Sequence, residues 1–132
     1  MGLDIGDKRI GVALSDPSGI LASPFTIVEC ESPEKDLETI AEIVRQKEVG
    51  KIIVGLPRSM DGEIRGQALK VQDFVRQLLR YVDIPVEFRD ERLTSVTAKR
   101  LMQGGRKKTR NKVRYDAAAA AVILQSYLEE NP

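Results

Sequence analysis

Hydrophobic residues alternate with small or polar residues over the N-terminal part of the chain. This period of two predicts three β-strands, in the segments "GLDIG", "RIGVALSD" and "SPFTIVE". In the second segment Ile10, Val12 and Leu14 share one face, which we expect to point into the core. Because the three segments follow one another closely, they are predicted to form an antiparallel meander.

The hydrophobic period changes to that of a helix after the third strand. Ser32 is predicted to cap the helix, with Pro33 at its first position and Glu34 in its first turn. Gly50 follows as the signal for the helix end. The apolar residues at helical spacing are Leu37, Ile40, Ala41 and Val44.

The remaining segments alternate between strand and helix. The pattern predicts a fourth strand in "KIIVGLP", a fifth in "IPVEFRDE", a short helix from Thr94 to Leu101 and a last helix over 112–128. A helix between the two strands is indicated by Ile64, Ala68, Val71, Val75 and Leu78. This order predicts an α/β fold, a five-stranded mixed sheet with helices on both faces, in a single domain spanning 1–132.

Histidine is absent from the 132 residues, and Cys30 is the single cysteine. The chain therefore has no Ser-His-Asp or Cys-His nucleophile and no histidine zinc ligand. We expect Cys30 to be inert and structural, and a lone cysteine fits a cytoplasmic protein. No apolar run reaches the roughly 18 residues that a membrane span requires, so no membrane partner is expected.

Acidic residues stand at the ends of several predicted elements. Asp4 interrupts the apolar first strand, where an unpaired carboxylate would cost several kcal/mol, although it could instead bond the following turn. Asp90 and Glu91 end the fifth strand, where an ion pair with Arg89 or Arg92 is the alternative.

Asp116 begins an alanine-rich segment of the last helix and shares a stripe with Val113, Ala120, Ile123 and Tyr127. We expect that apolar stripe to face the sheet, and the small alanines to let the helix approach closely. The alternative is a favourable interaction with the helix dipole. Carboxylates brought together repel one another unless a cation joins them, and oxygen ligands select Mg²⁺ or Mn²⁺. Such ions can support phosphodiester hydrolysis.

Positive charge is concentrated in the segment "RKKTRNKVR", residues 106–114. The formal net charge of the whole chain is +1, so removing the six positive charges of this segment leaves −5 for the rest. The segment is an electrostatic footprint for a polyanion, although a solvated loop is the alternative. Its basic residues are Arg106, Lys107, Lys108, Arg110, Lys112 and Arg114.

Four motifs occur in order, "GLDIGDKRIGVALSD", "IIVGLPRSMDG", "DERLTS" and "YDAAAAAVILQSYL". Together they resemble the YqgF/RuvX family, from Gly2 to about Leu128. The resemblance implies a ribonuclease H-like fold related to RuvC-type Holliday junction resolvases. It also implies a metal-dependent nuclease that matures the 5′ end of precursor 16S ribosomal RNA. The chain departs from the usual family pattern by starting close to the first motif and by having "EIRGQA" after "MDG".

Carried over residue by residue, the resemblance makes Asp4, Glu91 and Asp116 the catalytic, metal-binding acids and Asp90 an assistant. Strand alternation places Asp90 and Glu91 on opposite sides without deciding which one points inward. Asp61 looks like a turn residue beside Gly62 rather than a ligand.

The expected partner is structured nucleic acid, bound by a monomer or weak homodimer. Besides the basic segment, Lys8, Arg9 and Arg58 are candidate contacts, and the glycines of "GLPRSMDG" permit close approach to phosphates, although an ordinary turn is equally consistent. Two other functions fit the sequence. One is a junction-resolving DNA endonuclease, which must be a symmetric dimer to cut two strands. The other is a non-catalytic RNA-binding assembly or transcription factor.

Overall fold

The computed structural model describes residues 1–56, 66–90 and 112–130, the last range with its side chains from Ala117 onward. These residues form one five-stranded sheet in the order β3-β2-β1-β4-β5. Strands β1, β2 and β3 pair antiparallel, and β4 and β5 continue the sheet parallel to β1. The strands are β1 Gly2–Ile5, β2 Arg9–Ser15, β3 Ala22–Glu29, β4 Ile52–Leu56 and β5 Val86–Asp90. The predicted meander and mixed sheet are confirmed.

Helices cover both faces of this sheet, as the sequence predicts. The helices are α1 Pro33–Gln46, α2 Gly66–Leu78 and α3 Lys112–Glu130. Helices α1 and α2 pack on one face, in a core that includes Leu3, Val12 and Val54. Helix α3 packs on the other face, against Ala13 and Ile53. Because successive strand residues point to opposite faces, each strand supplies side chains to both cores.

Helix α1 begins as predicted and ends differently. The Ser32 hydroxyl accepts a hydrogen bond from the Lys35 amide at 3.2 Å, and Pro33 is the first helical residue. At the other end, Glu48 takes the left-handed conformation, with φ of 51°. The amide of Val49 donates to the Val44 carbonyl at 3.0 Å, which is the long bond of a Schellman motif. Gly50 was the wrong residue to expect in that role, because the chain has already turned at Glu48.

Helix α3 lies very close to β1. A Cβ atom added to Gly2 would lie 2.7 Å from the Ala120 carbonyl oxygen and 2.8 Å from the Leu124 Cβ. The predicted close approach of an alanine-rich helix is confirmed. The helix begins at Lys112, so Asp116 lies in its second turn and not at its start, where the helix dipole acts most strongly.

Two further predictions lie outside the described residues, namely the short helix from Thr94 to Leu101 and the contribution of Ile64 to the second helix. In the part of the chain that the structure describes, no helix is both long enough and apolar enough to cross a membrane.

Candidate active site

Asp4 lies on the face of β1 that is turned toward α3. Its neighbours Leu3 and Ile5 belong to the core beneath α1 and α2, and Gly2 touches α3. Side chains alternate along a strand, so Asp4 shares the face of Gly2. The residue is half-buried near the carboxyl end of the strand. A carboxylate in this position is shielded from solvent without being enclosed in the apolar core.

Glycines flank Asp4 on the two adjacent strands. Gly11 of β2 pairs directly with Asp4. On the other side, Leu3 pairs with Val54, and continuing this parallel register by one residue brings Gly55 level with Asp4. The positions directly level with Asp4 on the two neighbouring strands therefore carry no side chain. Gly55 is one of the glycines that the sequence analysis proposed to approach phosphates, whereas Gly11 was missed, although its place in the predicted second strand could have indicated it.

Helix α3 runs antiparallel to β1 across this face. Ala120 contacts Gly2, and Gly2 pairs with Ile53 of β4. Seven residues later along the helix, Tyr127 accepts a hydrogen bond from Lys51, which precedes β4. The C-terminal part of α3 therefore lies toward the amino ends of the parallel strands. The N-terminal part of α3 extends toward their carboxyl ends, where ligands bind in open α/β sheets.

The backbone of Asp116 is brought to the same end of the sheet as Asp4. Asp116 precedes Ala120 by one helical turn, or about 6 Å along the axis. Asp4 follows Gly2 by two strand residues, or about 7 Å in the same direction. Measured from the contact between α3 and β1, the backbones of the two acids therefore lie at similar distances toward the carboxyl ends of the parallel strands. The side chain of Asp116 lies outside the described part of the structure.

Asp90 lies on the other face of the sheet. It pairs with Leu56, which belongs to the core beneath α1 and α2, and Val86 of the same strand packs against that core. Arg89, the residue before Asp90, instead reaches Ser126 of α3. The structure therefore does not bring Asp90 to the face of Asp4. Glu91 lies outside the described residues.

The proposed ligand set extends beyond the described side chains. Among the described residues, no group of three or more His, Cys, Asp or Glu side chains is arranged to hold a metal ion. Of the three predicted acids, Asp4 alone has a described side chain. The donor set of Asp4, Glu91 and Asp116 is all carboxylate oxygen, which fits Mg²⁺ or Mn²⁺.

The predicted nucleic-acid contacts divide into three groups. Lys8 is exposed in the β1–β2 turn, close in sequence to Asp4. Arg9 pairs with Glu29 across β2 and β3, with 3.4 Å between Nε and Oε2, so its charge is partly compensated. Arg58 and residues 106–110 lie outside the described part of the chain, as do the side chains of Lys112 and Arg114.

Cavities lie at both ends of the sheet. One of about 340 Å³ lies beside the β1–β2 turn and the start of α1, with Cys30, Asp36 and Lys70 among its lining residues. A larger one, of about 650 Å³, lies at the amino ends of the parallel strands, beside Lys51 and Tyr127. The larger cavity is thus at the end of the sheet opposite Asp4 and does not belong to the candidate active site.

Cys30 lines the smaller cavity, and its thiol has a raised pKa. Burial raises its pKa to about 11, with a further contribution from the carboxylate of Asp36. A thiol with this pKa carries very little thiolate at neutral pH, and the thiolate is the nucleophile. These properties are compatible with the predicted structural role.

Comparison with known proteins identifies the relatives of this chain. Residues 1–130 match the RuvX family, which is described as Holliday junction resolvase. The chain belongs to the RuvX family. A relative from Roseiflexus sp. (strain RS-1), named "Putative pre-16S rRNA nuclease", is 45% identical over 98% of this chain and 92% of its own length. A relative of the same name from Thermoanaerobacter pseudethanolicus is 45% identical, over 98% of this chain and 94% of its own length.

Solved structures with the same fold include two resolvases. Thermus thermophilus RuvC, solved with a Holliday junction substrate, superposes with a TM-score of 0.62 at 16% identity, over 98% of this chain and 94% of RuvC. The fowlpox virus resolvase in complex with Holliday junction DNA gives a TM-score of 0.54 at 13% identity, over 98% of this chain and 95% of the viral resolvase. The predicted ribonuclease H-like fold of this RuvX protein is confirmed.

Proposed function

We propose that this RuvX protein is a metal-dependent nuclease that hydrolyses phosphodiester bonds in structured nucleic acid, with precursor 16S ribosomal RNA as its substrate. The observation that carries the proposal is the position of Asp4. This acid lies near the carboxyl end of β1 between the glycines of β2 and β4. The names of the relatives, which match nearly the whole chain, support the choice of RNA.

Asp4, Glu91 and Asp116 are the proposed ligands of Mg²⁺ or Mn²⁺. Between Asp90 and Glu91, strand alternation favours Glu91, because Asp90 occupies the opposite face from Asp4. A bound divalent ion would lower the pKa of water and stabilise the leaving oxygen. The chain contributes three carboxylates to hold the ion, and Gly11 and Gly55 leave space for a phosphate beside Asp4.

The basic segment from Arg106 to Arg114, together with Lys8 and Arg58, is proposed to bind the phosphate backbone. Arg9 is a weaker candidate because it pairs with Glu29. Binding through phosphate contacts should weaken as salt is added. We expect neutralisation of Lys107, Lys108 and Arg110 to weaken RNA binding while single-turnover cleavage persists at saturating RNA. Unchanged binding would contradict this assignment.

The cellular setting is part of the proposal. We place the protein in the cytoplasm, because a lone cysteine suits a reducing compartment. Residues 1–132 are proposed to act as one domain, as a monomer or weak homodimer. Sedimentation of the protein alone and with RNA measures that state.

A second candidate function is cleavage of four-way DNA junctions. The family description and the junction complexes of the two structural relatives favour it. Such an enzyme must place two active sites on one junction, and therefore requires a symmetric dimer. A monomer in sedimentation with a four-way junction would argue against it.

A cleavage assay on two substrates tests the proposed function. A precursor 16S fragment and a four-way DNA junction are incubated with Mg²⁺, with Mn²⁺ and with chelator. We expect metal-dependent cleavage of the RNA, lost in the Asp4→Asn, Glu91→Gln and Asp116→Asn variants. Selective cleavage of the junction would favour the resolvase. Three variants that bind RNA and restore cell function without cleavage would favour a non-catalytic RNA-binding protein.

A further inference from the structure

Three consecutive residues of α3 are each bonded to a different part of the sheet. The first is Gln125, whose side chain joins the β2–β3 hairpin. Its Oε1 accepts a hydrogen bond from the Ala22 amide at 2.8 Å, and its Nε2 donates to the Ile20 carbonyl at 3.1 Å. These paired bonds connect one side of the helix to the outer, antiparallel strands.

The second residue is Ser126, which is bonded to β5. Arg89 donates from Nε to the Ser126 hydroxyl at 2.9 Å, and its guanidinium also pairs with Glu130. Ser126 is 4% exposed and the Arg89 side chain 11% exposed. Hydrogen bonds from a charged donor are stronger than bonds between neutral groups. Because the guanidinium is planar, they also fix the direction in which the acceptor must lie.

The third residue is Tyr127, which is bonded to the segment before β4. Lys51 donates from Nζ to the Tyr127 hydroxyl at 2.7 Å and pairs with Glu87 of β5 at 3.2 Å. The ammonium also lies 4.9 Å from the centre of the Tyr127 ring. This bond connects the helix to the middle of the sheet.

The bonds of these three residues leave the helix in three directions. Consecutive residues of an α-helix point roughly 100° apart, because a turn takes 3.6 residues. Bonds from Gln125, Ser126 and Tyr127 therefore restrain both the position of α3 and its rotation about its own axis. The apolar contact surface of α3 combines Ala120 and Ala121 with the larger Ile123 and Leu124. Apolar attraction has no preferred direction, whereas a hydrogen bond requires a defined geometry, so the polar bonds restrain the rotation of α3 more specifically.

We propose that Arg89 is a positioning residue of the active site, supported by Gln125 and Lys51, which fixes the rotation of α3 and thereby the placement of Asp116. This inference rests on the proposed function. Arg89 stands two residues before Glu91 and bonds a helix residue ten positions after Asp116. It therefore joins the strand that leads to one proposed ligand to the helix that carries another.

The test compares metal affinity between variants by calorimetry with Mn²⁺, at a temperature where all of them are folded. Arg89→Met removes the bonds to Ser126 and Glu130 while keeping an apolar stem, and Arg89→Lys keeps the charge. Ser32→Ala is the control, because it weakens the cap of α1 on the opposite face of the sheet. Ser126→Ala, which removes the acceptor of the bond from Arg89 Nε, replaces Arg89→Met if that variant does not fold.

We expect Arg89→Met to weaken Mn²⁺ binding by about tenfold. This is the lower end of the loss that follows when a residue that orients a metal ligand is removed. Arg89→Lys should recover part of that affinity, and Ser32→Ala should bind as the wild type does. Hydrogen exchange of the amides of 117–121 should become faster in Arg89→Met, independently of any activity.

Two results would overturn the inference alone. One is a wild type that binds Mn²⁺ with Arg89→Met binding equally well. The other is an equal loss of affinity in Ser32→Ala, which would reduce the effect to general stability. A wild type that neither binds Mn²⁺ nor cleaves nucleic acid with a divalent metal would instead overturn the proposed function, and this inference with it.

Discussion

The α-carbon of Gly2 lies so close to Ala120 that a side chain has no room between them. An added Cβ would lie 2.7 Å from the Ala120 carbonyl oxygen, which belongs to the helix backbone and cannot rotate away. This contact sets the distance between β1, which carries Asp4, and α3, which carries Asp116. Glycine at position 2 is therefore a requirement of the candidate active site as well as of the core.

The first expectation concerns this contact. Gly2→Ala should lower the free energy of unfolding by about 1–3 kcal/mol, since overpacking a core moves the backbone. It should also weaken Mn²⁺ binding, because α3 is displaced from β1. Urea unfolding measures the first effect and calorimetry the second. Gly66→Ala is the control, because a Cβ there meets no atom within 4 Å. Equal stability of Gly2→Ala and the wild type would refute the role of the contact.

The end of α1 offers a stabilising substitution. Glu48 is exposed and has φ of 51°, a conformation that costs a residue with a Cβ more than it costs glycine. Glu48→Gly should raise the free energy of unfolding by about 0.5–1 kcal/mol. Glu48→Ala removes the same carboxylate but keeps the Cβ, so it should give no such gain. Thermal unfolding of both variants measures these stabilities. A similar increase in Glu48→Gly and Glu48→Ala would show that the gain comes from removing the charge and not from relieving the backbone.

The β2–β3 hairpin should be sensitive to acid. Hydrogen bonds from Ser18, Leu21 and Ile20 lower the pKa of Asp16 to about 2, from 3.8 in a model peptide. A carboxylate with a lowered folded pKa contributes stability that is fully present above the unfolded pKa. That contribution is lost as the pH falls from about 4 to about 2. Asp16→Asn should therefore be less stable than the wild type at pH 7 and should approach it near pH 2.

Denaturant unfolding at several pH values, with an NMR titration of Asp16, measures this behaviour. A stability difference between wild type and Asp16→Asn that stays constant from pH 7 to pH 2 would contradict it.

Cys30 should react slowly with thiol reagents in the folded protein. Its pKa of about 11 leaves little thiolate at pH 8. A disulfide-exchange reagent should modify it much faster in urea than in buffer. Asp36→Asn should speed the reaction in buffer, because it removes a negative charge that disfavours the thiolate. Rapid modification of the folded wild type at pH 8 would show that the thiol is not held in the unreactive state.

The predictable part of this fold is set by local patterns. The alternation of Ile10, Val12 and Leu14 reports one buried face of β2, and all three contribute to the same core. Ser32 and Pro33 mark the start of α1 because capping depends on neighbouring backbone atoms. The left-handed residue at the end of α1 is different. Residues other than glycine can adopt the left-handed conformation at a moderate cost in free energy, and here Glu48 does so. The glycine at position 50 therefore misled the prediction of the helix end.

The less predictable part depends on contacts between distant segments. Sequence alternation alone leaves Asp90 and Glu91 equivalent, and the pairing of Asp90 with Leu56 is what places Asp90 opposite Asp4. The bond between Arg89 and Ser126 joins residues 37 positions apart, and no local pattern encodes it. The basic segment and Glu91 remain predictions, because they lie outside the described residues.

The central claim is that Asp4 binds the divalent metal of a nuclease. Calorimetric titration of Mn²⁺ into the wild type, Asp4→Asn and Asp7→Asn tests it most directly. Asp7 is a matched control, because it is an exposed acid in the turn after β1 and pairs with Lys70 at 3.6 Å. We expect binding in the wild type and Asp7→Asn and its loss in a folded Asp4→Asn. Equally tight binding in Asp4→Asn would contradict the claim.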